Sequence, residues 1–316
     1  MARMKIKLIP PQGKICAYYD LKSSPITFDF VHFLAAAVGY SKSIKLNSID
    51  LVVVCDAWRT LTPREKSYDA SVRNWRLWNL LVQVVQICPA VRNFSIQRSP
   101  LSSINADCFP QNYNPRSNYL VPYSPKYVEK FYSVGVDVRC FAASKRSRDF
   151  ASGIFKGDAV PITLSPRTAG YDGVRNSVLD NWYEAYKVLI SMGHEVLVIP
   201  DQDDVLGGGC YRRYPWRTLP EAAMSLDIKL GIYELSLANV VSSGGNIGPL
   251  IYSGARFGIV KTLNEESHVS TAAFHESQGF PPGSQYPWFG EGQRIMWGDD
   301  STGELLACVE SQLRPL

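Results

Sequence analysis

The 316-residue chain lacks most of the signatures that fix a function outright. No run approaches the roughly 18 consecutive apolar residues that a membrane helix needs; Phe33–Val38 and Leu51–Cys55 stop far short. The opening MARMKIKLIPPQGK is basic without the apolar stretch of a secretory signal, so a cytoplasmic protein is expected. Seven cysteines form no CxxC pair, and His32, His194, His268 and His275 show no HxxxH or HExxH spacing. Neither a zinc ribbon nor a dedicated metal site is expected. The odd, dispersed cysteines predict reduced thiols, with Cys16, Cys55 and Cys140 as small core residues. There is no internal repeat, no GxGxxG and no GxxxxGK[ST], which removes the dinucleotide and Walker fingerprints.

What is present is an uneven charge and a regular alternation. Residues 1–150 carry 21 Lys and Arg against 10 Asp and Glu, whereas residues 151–316 carry 12 against 19. A chain of this length is expected to hold two domains, and both halves read as strand–helix series. In the first half, strands are predicted at Lys14–Tyr19, Ile49–Cys55, Phe94–Gln97 and Val136–Ala142. Helices are predicted at about Phe28–Gly39 with Thr27 as N-cap, at Val72–Ile87 and at Tyr127–Tyr132, and residues 100–125 read as loop. Lys145–Phe150 (KRSRDF) reads as the linker, giving domains 1–150 and 151–316. In the second half, strands are predicted at Val160–Leu164, Glu195–Ile199, Asn239–Ser242 and Phe257–Val260. Helices follow at Val178–Met192, Pro220–Tyr233, from Gly248, and at Gly303–Gln312. The expected fold is α/β: two Rossmann-like domains with parallel sheets facing a central cleft, where ligands gather beyond the strand C-termini.

Two stretches carry candidate chemistry. After Pro161 a strand ends in a loop with Arg167, Tyr171 and Arg175 that opens into a helix near Asn176 or Ser177. Arginines beside a helix N-terminus suit a diphosphate; equally, Asn176 and Ser177 serve as caps and the arginines as solvated loop charges. The second stretch, ANVVSSGGNIGPLIYSGARFGIV, places Gly244, Gly245 and Gly248 between a strand and a helix with Pro249 in its first turn, so backbone can approach a ligand at Ser243–Gly248.

With these motifs, and the run YELSLANVVSSGGNIGPLIYSGARFGIVK, residues 160–300 resemble the C-terminal domain of GT-B-fold glycosyltransferases, in their heptosyltransferase-like and fucosyltransferase-like branches. The resemblance implies a metal-independent glycosyltransferase of surface-polysaccharide biosynthesis, with a nucleotide-sugar donor and a glycan or lipid-linked acceptor. It implies Arg167, Tyr171, Arg175, Asn176 and Ser177 around the diphosphate, and Asp201 near the base or ribose. Ser243, Gly244, Gly245, Asn246 and Gly248 would lie against the nucleotide or sugar, with Gln285 as a further donor contact. Ser243-Gly244-Gly245-Asn246 stands where the family has an Asp-Thr-Gly-type loop.

No cofactor is expected beyond the donor itself. Under the alternative GT-A-like reading, Asp201 and Asp203 of the acidic run Asp201-Gln202-Asp203-Asp204 would hold Mg²⁺ or Mn²⁺. Between Gly279 and Asp300, Tyr286, Trp288 and Trp297 are candidates to stack on a sugar or base, and Gln285, Glu291 and Gln293 to bond hydroxyls; the other reading is a self-packed loop. Asp20, Asp29 and Asp56 are the carboxylates at strand or helix ends in the first half. Asp29 is chosen as the base that takes the acceptor proton, with His32 one turn on. Arg59, Arg64, Lys66, Arg73 and Arg76 interleave with Trp58, Trp75 and Trp78. That pattern fits nucleic acid, an anionic membrane surface with a lipid-linked acceptor, or a solvated helix face with Trp in the core. No specific nucleic acid is expected. The competing functions are an epimerase or hydrolase of the same fold and a non-catalytic nucleotide-sugar- or RNA-binding module.

Overall fold

The computed structural model describes residues 14–55, 65, 68–98, 107–111, 113–115, 124–155 and 159–313. Asp56, Trp58, Arg59, Arg64 and Lys66 lie outside them. The first half runs β1 (Lys14–Asp20), α1 (Phe30–Ser43), β2 (Ser48–Val54), α2 (Ala70–Arg76), a π-helical stretch Leu77–Val82, α3 (Gln83–Gln86), β3 (Val91–Gln97), β4 (Cys108–Phe109) and α4 (Pro125–Tyr132). The second runs α5 (Lys145–Ile154), β5 (Ile162–Ser165), α6 (Leu179–Ser191), β6 (Val196–Val198), α7 (Gln202–Gly207), α8 (Pro220–Met224), α9 (Leu226–Leu235) and β7 (Ala238–Ser242). It continues with α10 (Gly248–Ile251), β8 (Phe257–Lys261), α11 (Ala272–Ser277), β9 (Gln293–Trp297) and α12 (Thr302–Leu313).

The strands form two sheets, ordered β3-β2-β1-β4 and β6-β5-β7-β8-β9, and every pairing within them is parallel. The apolar runs Leu51–Val54 and Val196–Val198 are buried throughout, as strands covered by helices on both faces must be. The two-sheet α/β fold is thus the expected one. No helix among the described residues is long and apolar enough to cross a membrane. All seven cysteines are thiols; Cys140 is buried, whereas Cys16 and Cys55 are only half-buried.

Several local expectations are corrected. Lys145–Phe150 is not an open linker: it is the first part of α5, capped by Ser144, whose side chain accepts from the Ser147 N–H. The Ser144 backbone N–H and hydroxyl both bond Asp227 at 2.7 Å, and Arg148 pairs with Glu234, which ties α5 onto α9. The boundary expected at residue 150 therefore falls inside a helix. Val136–Ala142 forms no strand, because its N–H groups go to separate elements: Cys140 and Phe141 to the Tyr252 carbonyl, Ala142 to that of Ile87. Asp29, not Thr27, stands at the N-cap of α1. β4 and β9 come from stretches read as loop, and α11 from a stretch given no element. β9 is an edge strand whose exposed groups are met by Gln285: its amide donates to the Ile295 carbonyl at 2.8 Å and accepts from the Ile295 N–H at 2.6 Å.

One apolar core crosses the junction of the halves, joining Phe30, Phe33 and Leu34 to Leu250, Tyr252 and Phe257. The closest approach is glycine against α1 and its lead-in. A Cβ on Gly245 would fall 2.9 Å from the Phe28 ring, and one on Gly248 would fall 2.8 Å from a Val31 methyl. Opposite α10, His32 Nδ1 lies 2.7 Å from the Tyr252 hydroxyl. Gly248→Ala is expected to destabilise the protein by about 1–3 kcal/mol, the range for overpacking a filled core. Urea unfolding of the two proteins measures the difference, and equal midpoints would contradict this packing.

Candidate functional site

The cleft has two lobes. The first, of about 360 Å³, is bounded by Asp29, Trp75, Arg76, Arg175, Asp201 and Ser243–Asn246, among others. The second, of about 470 Å³, runs toward His32, Phe280, Tyr286 and Trp297. Asp29, Ser243–Gly245, Lys261, His268, Phe274 and His275 border both. These groups sit beyond the C-terminal ends of β1 and of β5 to β9, where the strand polarity of parallel sheets places ligands.

Of the expected donor residues, Arg167, Tyr171, Arg175, Asp201 and Ser243–Asn246 do meet in the first lobe, and Gly248 borders the second. Their chemistry differs from expectation. Arg167 is 7% exposed, and its terminal nitrogens donate to the carbonyls of Tyr171 and Asp172 and to the Asn176 side chain. Its backbone N–H donates to Ser177 Oγ at 2.9 Å. The Asn176 amide is completed by the Ala169 carbonyl. Arg167, Asn176 and Ser177 therefore fold the loop after β5; Asn176 and Ser177 neither cap α6 nor stand among the residues lining the lobes. Nor is the α6 N-terminus open to a phosphate, because Asp300 already sits there: one carboxylate oxygen accepts from the Val178 N–H and from Trp182 Nε1, both at 2.8 Å.

The acidic run is likewise spent on the loop. Asp201 caps α7 by accepting from the Asp203 N–H, and Asp203 accepts from the Gly170 N–H at 3.0 Å. Asp204 accepts from the N–H groups of Cys210 and Tyr211. No group of three or more His, Cys, Asp or Glu with metal-holding geometry occurs among the described residues. Gln285 is corrected too, since β9 uses both ends of its amide. Tyr286 and Trp288 are buried and stacked on each other, with centroids 4.9 Å apart. Gln293 bonds the carbonyls of Ser253 and Ala255, and Glu291 pairs with Arg256. Most of that aromatic segment is therefore its own core, leaving Tyr286 and Trp297 at the second lobe. Trp75 and Trp78 are not core residues: they are 37% and 58% exposed. Arg76 turns inward and donates to the Ile26 carbonyl.

Three groups keep reactive character. Asp29 is held above the ordinary carboxylate range, first by burial and then by Glu65, against a bond from the Thr27 hydroxyl (2.6 Å) that favours the ionised form. The ammonium of Lys261, at the end of β8, makes no hydrogen bond or ion pair among the described residues. Burial and the neighbouring Arg175 push it down to about 8, and its ammonium lies over the Trp297 ring. Arg175 reaches Asp172 at 3.5 Å and the Ser243 carbonyl at 3.4 Å. His32 is corrected as a base: burial drives it down to about 3, too weak to hold an abstracted proton, and its imidazole ties α1 to Tyr252. His275 is pushed down to about 4 by burial and by Lys261 and Arg175, and its Nε2 is buried without a hydrogen-bond partner among the described residues. Sequence reasoning missed Lys261 and His275. The signal for Lys261 was available, since it directly follows the predicted strand Phe257–Val260.

No family model matches the chain, and no curated protein is similar to it in sequence. Solved structures do resemble it. A family 9 glycosyl transferase from Veillonella parvula aligns over 95% of this chain and 97% of its own, at TM-score 0.46 and 9% identity. The E. coli heptosyltransferase WaaC, solved with ADP, aligns over 92% and 96%, at TM-score 0.43 and 12% identity. The UDP-GlcNAc 2-epimerase of Methanocaldococcus jannaschii aligns over 96% and 93%, at TM-score 0.41 and 9% identity. These are likenesses of layout alone. What the cleft does rests on its own residues.

A half-buried ammonium without a counter-ion among the described residues, next to the Arg175 guanidinium, is arranged to receive an anion. Lys261 is charged below its pKa and neutral above it. Inorganic pyrophosphate is therefore expected to bind more weakly as pH rises through about 8. Lys261→Gln should bind about tenfold more weakly or worse at pH 7 and lose that pH step. Calorimetric titration at pH 6.5 to 9.5 checks both, and a pH-independent affinity would count against the site.

Proposed function

We propose that the chain is a glycosyltransferase, moving a sugar from a nucleotide-sugar donor to a hydroxyl of an acceptor bound in the same cleft. The observation that carries this is the pairing at the junction of the lobes: a carboxylate held unusually basic, Asp29, borders the same space as the cations Lys261 and Arg175. In this reading the donor diphosphate lies against Arg175, Lys261 and the Ser243–Gly245 loop, with its nucleoside in the first lobe near Asp201. Asp29 takes the acceptor proton as the hydroxyl oxygen bonds to the anomeric carbon. The bond from that carbon to the diphosphate breaks, and the leaving charge passes to the two cations. Fixed cations supply this stabilisation without a metal, and a glycan or lipid-linked acceptor of surface-polysaccharide synthesis is the setting that the sequence resemblance implied.

The raised carboxylate works as a base only when ionised, so activity is present above its pKa and lost as pH falls through it. The acidic limb of kcat/KM is therefore expected above the ordinary carboxylate range near 4. Asp29→Asn should lower kcat by about 10²–10⁴ while leaving nucleotide binding in place, and turnover should persist in EDTA. Release of nucleoside diphosphate from a donor panel, with and without acceptors, is the measurement. Donor consumption that ignores every acceptor would instead favour a hydrolase or epimerase, and donor binding without turnover would favour a binding module.

A further inference from the structure

The second lobe differs in chemistry from the first. Its own lining is mainly apolar, with Ile251, Ile259, Phe280, Ile295 and Trp297, while Tyr286, Gln278 and His32 add polar atoms. Arg167, Arg175 and Asp201 border only the first lobe, so the second offers little to a phosphate beyond the shared Lys261. It is also built beforehand. Trp297 Nε1 donates to the Ser284 carbonyl at 2.8 Å, and the Phe280 ring stands edge-on to Tyr286 at 4.4 Å. Tyr286 stacks on Trp288, which stacks on Tyr252. A rigid, apolar-walled space of about 470 Å³ is of the size that takes a small molecule. A glycan there would strand several hydroxyls against Ile and Phe side chains, which disfavours it. The lobe is also lined by Asp29, which borders the space of the donor cations as well.

We propose that this lobe is the acceptor slot and that the acceptor is a small alcohol or phenol built on an apolar ring. The ring packs against Trp297, Phe280 and Ile259, and the hydroxyl is presented to Asp29. The inference rests on the glycosyl-transfer reading and sets a small apolar-ring acceptor in place of the glycan or lipid-linked one that the sequence resemblance implied.

The test is a calorimetric titration of 2-naphthol and, separately, maltose into the full-length protein, alone and saturated with the nucleoside diphosphate that binds best. Naphthol is expected to bind in both states and maltose in neither. Gln278→Trp, which fills the lobe from a half-buried position at the end of α11, should weaken naphthol at least tenfold and leave the nucleoside diphosphate affinity unchanged. Trp297→Leu serves as a second variant, with thermal unfolding checked for both. Maltose binding without naphthol binding would overturn the proposal and leave transfer standing. Competition between naphthol and the nucleoside diphosphate would overturn it by making the lobe a nucleobase slot, as would unchanged naphthol affinity in both folded variants. Failure of every nucleoside diphosphate to bind would sink the transfer reading itself, an outcome distinct from these.

Discussion

Everything in the cleft depends on how closely α1 can approach the loop after β7. At Gly245 and Gly248 no side chain separates that loop from Phe28 and Val31, and a single added carbon would overlap them. The consequence is positional. Asp29 follows Phe28 directly, so the contact that admits Phe28 also sets a carboxylate from the first half against the cleft face of the second. The shared core from Phe30 to Phe257 and the His32–Tyr252 bond hold that placement. The two glycines thus serve mainly to bring protein against protein, and a Cβ on the neighbouring Gly244 would meet the Asn246 side chain at 3.3 Å.

The electrostatics of the site follow from which charges the fold has already satisfied. Arg167 is spent on its own loop, Asp300 occupies the α6 N-terminus, and the acidic run folds the α7 turn. A cation bonded to carbonyls within its loop gains little from a ligand, because the ligand would have to replace bonds that already exist. The Lys261 ammonium makes no such bond among the described residues and lies over the Trp297 ring, so an arriving anion compensates its desolvation. Burial holds Asp29 above its usual range and, with Arg175, Lys261 below its own, the directions that make a carboxylate a better base and let an ammonium respond to pH.

The alternation of buried apolar runs with amphipathic stretches was enough to read two parallel α/β sheets and most helices, because strand and helix periodicity is local. It was also enough to bring Arg175, Asp201 and Ser243–Asn246 into one region, since loops after parallel strands must share an edge. The segment Gly279–Trp297 was not legible. Its Gly, Pro and aromatic content fits a loop, and β9 exists only because β8 offers an open edge and Gln285 supplies a second one. Lys145–Phe150 misled for a related reason: its polar, basic composition marks an exposed helix face as readily as a linker, and only Asp227 and Glu234, distant in sequence, decide for the helix.

The sequence by itself determined the layers, the strand polarity and hence the edge on which chemistry gathers, because these depend on hydrophobic period and chain direction. Tertiary structure alone decided which charged groups remain available there. Arg167 and Lys261 look alike in the sequence; whether a cation is neutralised depends on carbonyls and carboxylates brought near it by folding, and local pattern carries no record of those distances.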